Sequence, residues 1–346
     1  EYFGGDLMEL RDAIKVLDSD AHARDFDAEI RPYLPEPYRN QKASLIPSEH
    51  YDRNLGGTLG HGGAKVEERL AAMDTQQIDT AVMFPTSGLG LGRVRDPQFQ
   101  TALCRAYNDF ISDYCKASPR LKAVANLPVN NPAECVKELN RAVTKLDLCG
   151  GMLVAQAHRK NLGSPEFYPL YEEAQRLNTP ITIHAFGGDE PGSEIFDQFI
   201  CLHTTGHPFP VLRQLTAMVF GGIPEMFPKL RIGYLEVGCG WLPYWAERMD
   251  EEWEKRGKVE APLCKKKPSE YLYSENSYYG CEPEEKMISF VVNEVGSKTL
   301  MYASDYPHWD MSWPESATIL WNREDLSFDT KKDLLLNNAK RFYNLS

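Results

Sequence analysis

Several features are scarce in this chain. Its eight cysteines (Cys104, Cys115, Cys135, Cys149, Cys201, Cys239, Cys264, Cys281) are scattered and form no C-x-x-C pair. Most fall in apolar periodic segments, where a thiol packs as a small hydrophobe, and this pattern indicates a reducing compartment. Basic charge is also short: 38 Lys and Arg stand against 50 Asp and Glu, for a net charge of −12. Lys265-Lys266-Lys267 is the only basic cluster and suits a solvated loop, so nucleic acid is excluded as a partner. No apolar run reaches membrane-spanning length, and the opening EYFGGDLMELRDAI is acidic without a signal-peptide core, so no membrane partner and a cytoplasmic location are expected. No G-x-G-x-x-G or Walker A loop follows any apolar run, which counts against a doubly wound nucleotide-binding sheet.

What is present is ordinary for a globular chain, with 42% hydrophobic and 25% charged residues over 346 positions. That length fits two domains or one large α/β barrel. From Val66 onward apolar strands alternate with helical stripes. Strands are expected at 15–20, 80–85, 121–128, 149–156, 180–186, 231–237, 275–281 and 300–304, and helices between them, including 66–77 with Leu70 and Met73 on one face, 97–118, 132–146 and 207–227. Eight strands separated by helices imply parallel pairing and the number that closes a (β/α)8 barrel, with an open doubly wound sheet as the alternative. The expectation is one domain over 1–346, with a Pro- and Gly-rich insertion at 23–63 after the first strand acting as a lid.

In such a barrel the C-terminal ends of the strands gather on one face, so residues remote in sequence meet there. Asp20-x-His22 puts a carboxylate and an imidazole on one face of the first strand, because strand side chains alternate. The fifth strand ends in His184, the eighth in Asp305 and the sixth in Glu236. Each has a plainer explanation: a core histidine, a helix cap, a solvated outward-facing Glu. Together they make a mixed imidazole and carboxylate set, which suits a divalent transition metal (zinc, manganese or iron) rather than magnesium or calcium. A metal-bound water would then serve as nucleophile, with a nearby carboxylate managing its proton. His207, next to Pro208 at a helix start, is a weaker candidate for a direct role, as is His203. Arg93, His158 and His308 are weak substrate-contact candidates in loops, as are His50 and His61. The stripe Trp241, Tyr244, Trp245, Trp253 has helical spacing and reads as packing.

The segments ITIHAFGG, FGGIPEMFPKLRIGYLE, GWLPYW and ASDYPH, with NNAKRF near the end, resemble amidohydrolase family 2, the aminocarboxymuconate-semialdehyde decarboxylase-like group of the metal-dependent amidohydrolase superfamily. The resemblance implies a distorted (β/α)8 TIM barrel whose metal is held by Asp20, His22, His184 and Asp305, and commonly a dimer or larger homo-oligomer. Two positions depart from the pattern: Asp20 stands where relatives often have His or Glu, and Glu236 where the decarboxylases usually carry a His. Glu236 is then an added ligand or a replacement base, and with Asp20, His207 and Asp305 facing one cavity it admits one or two metals. The expected activity is a metal-dependent hydrolase acting on a small organic substrate, with catalytic Asp305, Glu236 and His207. The alternatives are a nonoxidative decarboxylase of a small aromatic or enoic acid, a dinuclear iron or manganese oxygenase on the same barrel, and a metal-bound scaffold paired with a related subunit.

Overall fold

A computed structural model describes residues 9–46, 62–156, 160–186 and 191–346. Its centre is one eight-stranded sheet in sequence order, all neighbours parallel. The strands are β1 (Leu17–Ala23), β2 (Thr80–Pro85), β3 (Leu121–Asn126), β4 (Gly150–Val154), β5 (Ile181–His184), β6 (Ile232–Leu235), β7 (Ser277–Cys281) and β8 (Leu300–Tyr302). Almost every strand residue is buried, as expected of strands covered by helices outside and by packed side chains within. The ring closes through the segment just after β8. There the Asp305 amide donates to the Asp20 carbonyl at 3.0 Å and the His22 amide to the Tyr306 carbonyl at 2.7 Å. The expected (β/α)8 barrel is therefore present.

The helices that matter for the site are α1 (Val66–Gln76), α2 (Pro97–Cys115) and α3 (Pro208–Phe220). In α2 the Asp96 side chain caps the Gln98 and Phe99 amides and Pro97 takes the first turn, where its missing N–H costs nothing. α3 begins immediately after His207.

Two boundaries near the site and one buried face differ from expectation, each for a local reason. The first strand, expected at 15–20, runs to Ala23. Pairing with β2 continues to Ala23, and the post-β8 segment bonds its other edge, so Asp20 and His22 lie inside the strand. The helix expected over 207–227 stops at Phe220, because Gly221-Gly222 breaks it with Gly222 at φ +79°, and only a short turn, Ile223–Met226, follows. In α1 the buried stripe is Arg69, Ala72, Met73 and Gln76, while Leu70 is only half-buried.

The insertion expected at 23–63 is described up to residue 46. It holds short turns at Asp27–Ile30, Arg31–Tyr33 and Tyr38–Asn40, cross-tied by the Arg31 guanidinium to the Ala43 carbonyl at 3.0 Å and the Asp27 carboxylate at 3.2 Å. Residues 47–61, with His50 and His61, lie outside the described residues.

Candidate metal centre

β-Sheet register brings the candidate residues together. His22 pairs with Phe84, Val154 with His184, and His184 with Leu235, so Glu236 sits one step beyond the end of β6. The Asp20 Oδ1 lies 3.2 Å from His184 Nε2 and 3.4 Å from His22 Nε2. The Asp305 Oδ1 is 3.2 Å from His22 Nε2, and the Glu236 Oε2 is 3.2 Å from His184 Nδ1. All five residues expected as ligands therefore meet at the C-terminal mouth of the barrel.

Both histidines face inward with a fixed tautomer. His22 Nδ1 donates to the Pro85 carbonyl at 2.7 Å, and His184 Nδ1 to the Ala185 carbonyl at 2.8 Å. Each Nε2 keeps its lone pair for the centre, the arrangement typical of metal-ligating imidazoles. Ligand atoms about 2.1 Å from one ion stand about 3.0 Å apart in an octahedral shell and about 3.4 Å apart in a tetrahedral one. The spacings around Asp20, His22, His184 and Asp305 fall in or near that interval. The Nε2 of His22, Oε2 of Glu236 and Oδ1 of Asp305 are also buried without hydrogen-bond partners. These atoms meet their neighbours in close contacts that are not aligned as hydrogen bonds, a cost that a bound cation removes, so the residues present fit a divalent metal.

Backbone geometry sets the two late carboxylates apart. Glu236 has φ +61° and Asp305 φ +57°, the left-handed region, which costs a non-glycine residue about 1 kcal/mol. Gly238, at φ +61°, completes the turn after β6, and the Glu285 carboxylate occupies the space a Cβ would need there.

Charge is tightly coupled. Burial disfavours charge on every group, but the Asp20 and Glu236 carboxylates lift His184 well above its usual range. Glu236 is held well below the ordinary carboxylate range by His184 and His308, although burial works the other way. Against its own burial, His308 is lifted to about 10 by Asp305 and Glu236. Metal-stripped protein thus keeps the site balanced with protons. The stability His308 gives is complete below its ordinary value of 6.5 and lost as pH rises towards 10. The thermal midpoint of chelator-treated protein is therefore expected to fall across that interval, while manganese-loaded protein pulls progressively ahead because metal binding displaces protons. A stripped midpoint that rises with pH there would contradict the assignment.

The site opens into a cavity of about 370 Å³ lined by His203, His207, Glu236, Glu282, Asp305 and Asp310, among others. His207 Nε2 stands 3.8 Å from Glu236 Oε2, and its ring packs on His203 at 4.2 Å between centroids. Burial and the neighbouring His207 push His203 down to about 4. Arg93 lies in the loop after β2 with its guanidinium 4.2 Å from the Phe186 ring centroid. His158 falls outside the described residues.

Three contributors were missed or undervalued in the sequence. His308, expected only as a weak substrate contact, has Nδ1 2.7 Å from Asp305 Oδ1 and 3.5 Å from Glu236 Oε1. Arg69 is fully buried behind the site and bonds the His22 carbonyl and, at 3.2 Å, the Tyr306 carbonyl. Its guanidinium carbon also lies 4.4 Å from the Tyr306 ring centroid. Asp18 accepts from the Ser304 hydroxyl at 2.5 Å and amide at 3.0 Å, and so ties β1 to the end of β8. Burial raises its pKa to about 7. The register of β1 on β2 shifts between Asp18 and Ala21, so strict alternation along the strand does not connect Asp18 to His22.

Comparison with known proteins identifies relatives of the chain. The chain is 24% identical over 307 residues to the 2-amino-3-carboxymuconate-6-semialdehyde decarboxylase of Dictyostelium discoideum, covering 88% of this chain and 82% of that one. It is 22% identical over 335 residues to a γ-resorcylate decarboxylase of a Rhizobium species, covering 90% and 95%. The fold superposes with a TM-score of 0.75 on 5-carboxyvanillate decarboxylase from Novosphingobium aromaticivorans, solved with bound manganese, at 22% identity over 96% of this chain and 97% of that one. The family model described as amidohydrolase matches residues 18–345, and the chain belongs to the amidohydrolase family of enzymes.

Proposed function

We propose that this enzyme is a divalent-metal-dependent, nonoxidative decarboxylase of a small aromatic or enoic acid. The observation that carries the reading is the set of inward-facing Asp20, His22, His184 and Asp305 beneath the cavity, in a barrel whose quoted relatives are all named as decarboxylases. The hydrolase placed first from sequence yields to the carboxy-lyase on that ground. When bound, the metal supplies a positive charge that holds a substrate carboxylate and a neighbouring hydroxyl.

The remaining work falls to the chain. The carbon–carboxylate bond breaks, carbon dioxide departs, and the electron pair left on carbon takes up one proton. His207 lines the cavity and faces Glu236 Oε2, so it is placed to hold that proton at Nε2 while Glu236 stabilises the charged ring. This pair takes over the task of the histidine that the sixth strand lacks. Eight free cysteines support placing the enzyme in the reducing cytoplasm, where we take it to act as a homo-oligomer.

The deciding experiment incubates manganese-loaded enzyme, without oxygen, with a panel of hydroxylated and amino-substituted aromatic acids and enoic acids. Carbon dioxide is expected in equal amount to a product that carries solvent deuterium at the vacated carbon. Turnover without carbon dioxide would favour hydrolysis, and a strict need for oxygen would favour the oxygenase. Either outcome would overturn the proposal.

A further inference from the structure

Among the described residues, two groups of metal-capable side chains overlap at one histidine. Asp20, His22 and His184 each offer a ligand atom within 4.8 Å of the others, and so do His22, Glu236, Asp305 and His308. His22 Nδ1 is committed to the Pro85 carbonyl, so its single remaining lone pair serves one ion. Given to the first group, it leaves Glu236, Asp305 and His308 as a set of their own.

That set lies close to ligand spacing. His308 Nδ1 lies 2.7 Å from Asp305 Oδ1 and 3.5 Å from Glu236 Oε1, on either side of the roughly 3.0–3.4 Å expected around one ion. Asp305 Oδ1 stands between the groups, 3.2 Å from His22 Nε2 on its other side. Glu236 likewise turns Oε2 towards His184 and His207 and Oε1 towards His308. Both Asp305 Oδ1 and Glu236 Oε2 are buried without a hydrogen-bond partner. Asp20, Glu236 and Asp305 carry more negative charge than one divalent ion neutralises. Glu282 and Asp310 line the same cavity, and none of its described lining residues is Lys or Arg.

We infer that the chain has a second divalent-cation position, formed by Glu236 and His308 with Asp305 shared between it and the first. The mixed imidazole and carboxylate donors select manganese, iron or zinc over magnesium and calcium. With both positions filled, the second ion would take over from the first the hydroxyl or amino substituent beside the substrate carboxylate. The inference extends the metal-dependent reading above and relies on it for the first position only.

Manganese(II) alone is the probe, added to metal-stripped full-length protein. Bound metal is counted after desalting, and electron paramagnetic resonance is recorded during the titration. Two equivalents are expected, with a broadened, spin-coupled signal at saturation. His308→Ala and the near-isosteric Glu236→Gln are each expected to bind one equivalent with the hyperfine pattern of an isolated ion. Wild-type protein that saturates at one equivalent overturns the second position and leaves the first standing. Two uncoupled equivalents place the second ion elsewhere and also overturn it. So does retention of both ions, or loss of both, in the two variants. No binding by wild-type protein overturns the proposed metal dependence as well.

Discussion

His184→Ala is expected to strip the first metal position and to lower kcat/KM by at least about a thousandfold, since a catalytic metal supplies several kcal/mol and each 1.4 kcal/mol is about tenfold. His184 is the hinge of the cluster: Nε2 faces Asp20 at 3.2 Å, and Nδ1 faces Glu236 at 3.2 Å. Its removal leaves two buried carboxylates without the imidazole that reconciles them. The barrel should survive, because β5 is held by backbone pairing to β4 and β6 that the side chain does not enter. Metal content, steady-state kinetics and far-ultraviolet circular dichroism on one preparation test this. A folded variant that keeps both metal and turnover would remove His184 from the centre.

The second large effect is expected from Arg69→Met, which keeps much of the side-chain volume and deletes the charge and donors. Two buried carbonyls, those of His22 and Tyr306, would lose a charged donor, and the Tyr306 ring would lose its cation. Charged hydrogen bonds of this kind are worth about 1.5–3 kcal/mol each, so a loss of about 3–5 kcal/mol in urea unfolding is expected. Arg69 braces β1 against the post-β8 segment, which carries Asp305 and His308. Weaker metal binding should therefore accompany the loss of stability. Arg69→Lys should rescue little, because one ammonium cannot span both carbonyls and the ring. Unchanged stability in Arg69→Met would show that the brace is idle.

These two residues also show what was legible beforehand. His184 was readable because it ends an apolar strand, and the barrel's topology turns that position into a place in space. The same logic found Asp20, His22, Glu236 and Asp305. Arg69 was missed because α1 was read by its apolar residues, Leu70 and Met73. The buried stripe is 69, 72, 73 and 76, and a charged residue in helical register with Met73 is the signal that was available. His308 was undervalued because it follows the strand end by several residues, and only the turn after Asp305 brings its ring 4.1 Å from that of His22. The left-handed backbone at Glu236 left no trace in residue type, and at Asp305 only the mild tolerance of aspartate for it.

That backbone has a consequence for how the enzyme changes under selection. Glycine or asparagine at 236 or 305 would relieve conformational strain and, at a pH high enough to discharge the histidines that pair with these carboxylates, electrostatic repulsion in the metal-free state. A variant library of metal-free protein screened for heat resistance alone at alkaline pH would therefore enrich replacements at these two positions and deliver robust, inert barrels. A natural homologue carrying glycine or asparagine at both, with the rest of the ring intact, would be a retired enzyme that had gained stability by giving up its chemistry.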